Sequence, residues 1–140
     1  GLPVGAIASK DRASVFAAGE HGSTFGGNPV TCAVAFSTLE YIIQNDIPEH
    51  AAKMGALFAE GLEKLVKRYE IASSHRGIGL LRALQFEKDV AEQIVLKCLE
   101  NGLLINRLKP NAIRFMPSLI ITPEEIEKGL GILEKSIKGL

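Results

Sequence analysis

His21-Gly22-Ser23-Thr24-Phe25-Gly26-Gly27-Asn28-Pro29 is the most informative stretch of this chain. Asn28 is a good helix N-cap, and Pro29 suits the first helical position, where its missing N–H would have no partner anyway. A helix is therefore expected from Pro29 to about Gln44. The glycines ahead of it let backbone N–H groups approach an anion closely, and the helix N-terminus adds favourable partial charge. Ser23 and Thr24 place hydroxyl donors at the same point. That chemistry suits a phosphate. A nucleotide P-loop is excluded, because no Lys-Ser or Lys-Thr follows the second glycine. The alternative is a tight turn with an N-cap, and spacing alone leaves both readings open.

Upstream, Gly1-Leu2-Pro3-Val4-Gly5-Ala6-Ile7-Ala8 is apolar without a basic flank, so it reads as a strand and not as a signal peptide. With no initiator Met and no polar lead-in, the chain is expected to be a fragment. Ser9 to Gly22 reads as a loop with room for a helical turn. The helix from Pro29 carries Val30, Ala33, Val34, Phe36, Leu39, Ile42 and Ile43 around most of its circumference, which predicts burial on several sides.

Downstream, Asn45-Asp46-Ile47-Pro48 punctuates the chain. A second helix starting at Pro48 has Met54, Leu57, Phe58, Leu62, Leu65, Val66 and Tyr69 at i, i+3, i+4 spacing, the mark of a helix packed on one face. Its run Glu60, Glu63, Lys64, Lys67, Arg68 reads as the solvated side. Ile71 to Phe86 has a strand pattern that Gly77 and Gly79 weaken or bulge. Lys88 to Asn101 reads as a helix, with Asp89 and Glu92 as a capping box and Gly102 as its stop. Leu103–Asn106 and Ile113–Met116 are expected to be short strands around a Lys109-Pro110-Asn111 turn. Thr122-Pro123-Glu124-Glu125 is a further capping box, opening a helix through Ile126, Leu130, Leu133 and Ile137. The order predicts an α/β fold, a small antiparallel or mixed sheet covered by helices on one face, with a domain boundary near Asp46.

Composition narrows the function. The 140 residues are 46% hydrophobic and 23% charged, ordinary for one globular domain. Sixteen basic residues balance sixteen acidic ones, so no charge excess points to nucleic acid or an anionic membrane. No apolar run approaches the ~20 residues needed to span a bilayer. Cys32 and Cys98 lack C-x-x-C spacing and read as reduced core residues of a cytosolic protein, with a disulfide as the alternative. His21, His50 and His75 have no metal-ligand spacing, and His50 and His75 are expected at the surface or at helix ends.

The nonapeptide resembles the His-Gly-Ser-Thr-Phe-Gly-Gly-Asn-Pro signature of class III aminotransferases, the acetylornithine and ornithine group. Three further stretches agree in the right order. Gly1-Leu2-Pro3-Val4-Gly5-Ala6 is similar to the segment just after the family's cofactor lysine. Arg76-Gly77-Ile78-Gly79-Leu80-Leu81 resembles its Arg-Gly-x-Gly-Leu-Met strand. Ile113-Arg114-Phe115-Met116-Pro117-Ser118-Leu119 resembles its Arg-Phe-x-Pro-Pro-Leu segment. Ser118 departs from the second proline there, and Arg82-Ala83 stands where the family often has a small residue and glycine.

The resemblance implies the C-terminal small domain of a fold-type I pyridoxal-phosphate enzyme (residues 47–140). It would be preceded by the last strand, loop and helix of the large domain (residues 1–46). It implies a cytoplasmic homodimer that moves the terminal amino group of N-acetylornithine to 2-oxoglutarate in arginine biosynthesis. Ornithine, succinylornithine or 4-aminobutyrate are the alternative donors. Thr24 would hold the cofactor phosphate of the neighbouring subunit, and Ser23 would lie beside the amino donor. Arg114 would pair with a substrate carboxylate or a mobile glutamate, tasks that suit a fixed-charge fork of donors. A structural ion pair at the sheet edge is the alternative for Arg114. The Schiff-base lysine and the acid for the pyridinium nitrogen would lie upstream of Gly1, leaving these residues inactive alone. Lys10 does not match that lysine. Its expected role is a solvated neighbour of Asp11, and a folding or dimerisation module is the non-enzymatic alternative for the chain.

Overall fold

The structure, a computed structural model, describes residues 1–138 and 140. It divides into two compact units, Gly1–Asp46 and Ile47–Leu140.

In the first unit, α1 spans Pro29–Gln44 behind a short 3-10 turn, Asp11–Ala13. The expected strand over residues 1–8 is absent; those residues have no regular structure and are exposed. An extended segment becomes a strand only by pairing, and its own unit holds no other strand among the described residues. Nor is α1 buried within its unit: Val30, Phe36, Leu39 and Ile43 are each more than half exposed.

The second unit is an antiparallel sheet with three helices on one face. Here α2 spans Ile47–Arg68, α3 Ala91–Glu100 and α4 Pro123–Lys138. The strands are β1 (Ala72–Ile78), β2 (Leu81–Phe86), β3 (Asn106–Lys109) and β4 (Ala112–Phe115), in spatial order β1-β2-β4-β3. Leu84 pairs with Ile113 and Arg82 with Phe115 across the central strands. Leu84, Phe86, Ile113 and Phe115 meet Phe58, Leu62 and Leu65 of α2, Ile94 and Cys98 of α3, and Ile126, Leu133 and Ile137 of α4 in one core. Phe58 and Phe115 stack edge to face at 5.1 Å.

The strand pattern expected from Ile71 to Phe86 resolves into two strands, joined by a two-residue hairpin at Gly79-Leu80. Gly79 has φ +51°, a left-handed backbone that glycine adopts freely and that a twisted hairpin needs. The β3 and β4 strands lie a few residues from their expected bounds. Leu103 and Ile105 pack on the core as a connector, and pairing begins only at Asn106.

The helix caps divide. Thr122 N–H donates to Glu125 Oε2 at 2.9 Å and Glu125 N–H to Thr122 Oγ1 at 3.3 Å, so the box on α4 forms. The Asp89–Glu92 box on α3 does not. Val90 occupies the cap without a side-chain bond, Ala91 N–H donates to the Pro110 carbonyl at 3.0 Å, and Glu92 accepts from Arg107 Nη1 at 2.9 Å. A tertiary ion pair takes the carboxylate that the cap would have used.

Candidate functional site

In the signature loop, sequence spacing becomes hydrogen bonding. Asn28 Oδ1 accepts from the N–H of Val30 at 3.1 Å and of Thr31 at 3.2 Å, closing the first turn of α1. Ser23 Oγ accepts from Gly26 N–H at 3.0 Å, and a Cβ on Gly26 would sit 3.0 Å from that of Ser23. The loop is this tight because residue 26 has no side chain. Gly27 follows with φ +71°.

These bonds reassign the anion-binding donors. Two N–H groups that a phosphate at the helix end would use are already held by Asn28, and the Gly26 N–H is held by Ser23. Thr24 remains. It is exposed, and its hydroxyl has no hydrogen-bond partner among the described residues. The loop therefore presents Thr24 outward, supported by neighbours that satisfy one another. Lys10 lies in the same unit, exposed at the start of the 3-10 turn.

Arg114 belongs to the second unit, on β4, an interior strand flanked by β2 and β3. It alternates with the core residues Ile113 and Phe115 and so points away from the helices. Its Nε is buried without a hydrogen bond, and no carboxylate pairs with it among the described residues. The edge ion pair is not what the structure contains. A cavity of about 140 Å³ lies at this end of the unit, lined by Arg114, Met116, Pro117, Ile121, Glu125 and Leu130. Ser118, the departure from Pro-Pro, accepts from Ile120 N–H at 3.4 Å and shapes the same turn.

Two other expectations need correction. His75 is not a surface residue: its side chain is 17% exposed and Nε2 lies 3.1 Å from Glu63 Oε2, because β1 lies against α2. Cys32 is exposed and Cys98 buried, both as free thiols, so only Cys98 is a core residue. Burial pushes the Cys98 thiol pKa up, against the opposing contact with Ser136. Among the described residues no His, Cys, Asp or Glu cluster could hold a metal, and no helix is long and apolar enough to cross a membrane.

A family model for class-III aminotransferases matches residues 1–137. The chain belongs to that family. It is 44% identical over 134 residues to the acetylornithine aminotransferase of Caldanaerobacter subterraneus, covering 96% of this chain and 34% of that protein. Among solved structures, the acetylornithine aminotransferase from Elizabethkingia anophelis superposes with a TM-score of 0.83 at 38% identity, over 89% of this chain and 32% of that one. The ornithine aminotransferase from Toxoplasma gondii, described with pyridoxal phosphate at partial occupancy of its active site, matches with a TM-score of 0.79. It is 35% identical, over 88% of this chain and 30% of its own. The chain spans about a third of the length of the curated relatives it matches. Class-III aminotransferases are pyridoxal-phosphate enzymes. The fit to that cofactor rests on Thr24, a free hydroxyl on a braced, exposed loop beside a helix N-terminus.

Proposed function

We propose that these residues are the C-terminal part of a pyridoxal-phosphate-dependent acetylornithine aminotransferase. The complete enzyme would move the terminal amino group of N-acetylornithine to 2-oxoglutarate, in the cytoplasm, as a step of arginine biosynthesis. The observation that carries this reading is the signature loop, in which Ser23 and Asn28 hold the N–H groups of Gly26, Val30 and Thr31 while the exposed Thr24 hydroxyl is left free to meet a phosphate. An ornithine donor is the second reading, favoured by the ornithine aminotransferases at similar identity.

When bound, the cofactor supplies the electron sink that lets the amino group move. The roles of this chain are to bind and orient. Thr24, outward-facing and without an internal partner, donates its hydroxyl to the phosphate in the other subunit of a homodimer. Ser23, held by Gly26, borders the amino donor. Arg114 supplies fixed positive charge for a substrate carboxylate or for a glutamate from outside this chain, and its unpartnered Nε supports that role. Residues 1–46 would close the large cofactor-binding domain, and residues 47–140 would form the small domain over the substrate. Neither the Schiff-base lysine nor the acid for the pyridinium nitrogen has a counterpart here, so these 140 residues alone are expected to be inactive.

The test is an assay of the longer enzyme for glutamate formed from 2-oxoglutarate, with N-acetylornithine and ornithine compared by kcat/KM. A preference for N-acetylornithine supports the first reading and a preference for ornithine the second. No transfer from either would overturn both.

A further inference from the structure

Of the five asparagines in the chain, only Asn101 is followed by glycine; the others precede Pro29, Asp46, Arg107 and Ala112. The pair Asn101-Gly102 closes α3. Asn101 is the C-cap and is exposed, and its Nδ2 donates to the Lys97 carbonyl at 2.7 Å. Gly102 follows with φ +82° and its N–H donates to the Leu99 carbonyl at 3.0 Å. Leu103 N–H donates to the Cys98 carbonyl at 2.8 Å, which completes a Schellman stop, and the Leu103 side chain packs on the core beyond it.

The side-chain amide carbon of an asparagine lies within reach of the next backbone nitrogen through a five-membered ring. A Cβ on the following residue hinders that approach, and glycine has none. In the folded chain the cap opposes the reaction at each atom involved. Asn101 has ψ 11°, so ring closure needs about a third of a turn in ψ. The amide group is held on the Lys97 carbonyl, and the attacking nitrogen is held through its proton on that of Leu99. All of these restraints belong to one helix end, and they are lost together when the last turn of α3 frays.

We propose that Asn101-Gly102 is a site of spontaneous covalent modification gated by the cap of α3, and that the modification then prevents the cap from re-forming. When the turn opens, Gly102 N gives up its proton to water and bonds to Asn101 Cγ. The Cγ–Nδ2 bond breaks, and the amide nitrogen takes up a proton and leaves as ammonia. Water then adds to one of the two ring carbonyls and breaks its bond to the ring nitrogen, which leaves aspartate or its β-linked isomer at position 101. Aspartate has no donor for the Lys97 carbonyl and sets negative charge at the negative end of the helix. The β-linked isomer also lengthens the backbone by one carbon ahead of Leu103. Water is the only co-reactant, and the chemistry is independent of the aminotransferase activity.

The experiment incubates the chain as it stands at mildly alkaline pH, both folded and in guanidinium chloride, and maps peptides by mass over time. Asn101 should be the first asparagine converted in the unfolded chain, and its conversion should be at least about tenfold slower in the folded one. Leu99→Gly, which frays the last turn and keeps the Asn-Gly pair, should speed conversion in the folded chain about fivefold. Asn101→Asp should show less helix and a lower Tm than Asn101→Gln, which keeps an amide at the cap. Conversion led by another asparagine in the unfolded chain overturns the site. Equal rates in the folded and unfolded chains, or no acceleration by Leu99→Gly, overturn the gate. Equal helicity and Tm in Asn101→Asp and Asn101→Gln overturn the loss of the cap.

Discussion

Gly55 of α2 lies against the backbone of Gly79 in the β1–β2 turn, so closely that a Cβ on Gly55 would sit 2.5 Å from the Gly79 carbonyl. The neighbour is main chain, so it cannot swing aside as a side-chain tip could. Gly55→Ala should therefore push helix and hairpin apart and cost about 1–3 kcal/mol despite alanine's better helix propensity. Urea denaturation of the two proteins checks it. Equal or greater stability in the variant would mean the contact is looser than described.

Leu62 is fully buried where α2 meets the sheet, whereas Val30 on α1 is 65% exposed. Truncating each to alanine should separate the two units energetically. Leu62→Ala should cost about 2–5 kcal/mol, and Val30→Ala less than about 0.5 kcal/mol in the monomeric chain. A large loss from Val30→Ala, growing with protein concentration, would show that α1 is covered by another copy.

Local chemistry was legible in the residues, and partnership was not. Asn28-Pro29 and Thr122-Glu125 read correctly because a cap needs only residues within one turn. Asp89-Glu92 misled, because Arg107 lies far along the chain and competes for the same carboxylate. Gly1–Ala8 has a strand's composition but no partner strand within its own unit among the described residues, and α1 has a core helix's composition without a core there. In the candidate site, Ser23, Thr24 and Arg114 were reached through the signature and the Arg-Phe segment. The satisfied state of Ser23, the free hydroxyl of Thr24 and the orphaned Nε of Arg114 depend on distances that no spacing reveals. Strand register pairs Arg76 with Ala83, Ala83 with Arg114 and Arg114 with Asn106, and hydrophobic alternation alone does not set that between strands this short.

Thr24 and Asn28 stand four residues apart with opposite expected consequences. Asn28→Ala removes the acceptor for two N–H groups and should cost about 1 kcal/mol of α1 stability, visible as lost helicity in this chain. Thr24→Ala removes no internal bond and should leave the chain's helicity and stability unchanged. In the assembled enzyme the same substitution should weaken pyridoxal phosphate binding about tenfold or more, read by equilibrium dialysis. Full cofactor affinity in the Thr24→Ala enzyme would contradict the phosphate role.

Glu134 ties α4 to the end of α2. Its Oε1 accepts from the Tyr69 hydroxyl at 2.7 Å and from Arg68 Nη1 at 2.6 Å, with Lys138 Nζ at 3.8 Å. The Tyr69 hydroxyl, then the Arg68 guanidinium, hold its carboxyl below the usual carboxylate range, with a smaller contribution from Lys138. The folded chain thus binds fewer protons at this site than the unfolded chain does, so stability rises with pH there. The contribution is complete above the unfolded value of about 4.3 and is lost as pH falls through the lower folded value. Glu134→Gln should be less stable than the parent chain by about 1 kcal/mol at pH 7, a modest figure because the side chain is a quarter exposed. The gap should close as pH falls below about 4. Thermal unfolding of both proteins across that range decides it: a gap independent of pH would mean that Glu134 acts through packing and not through its charge.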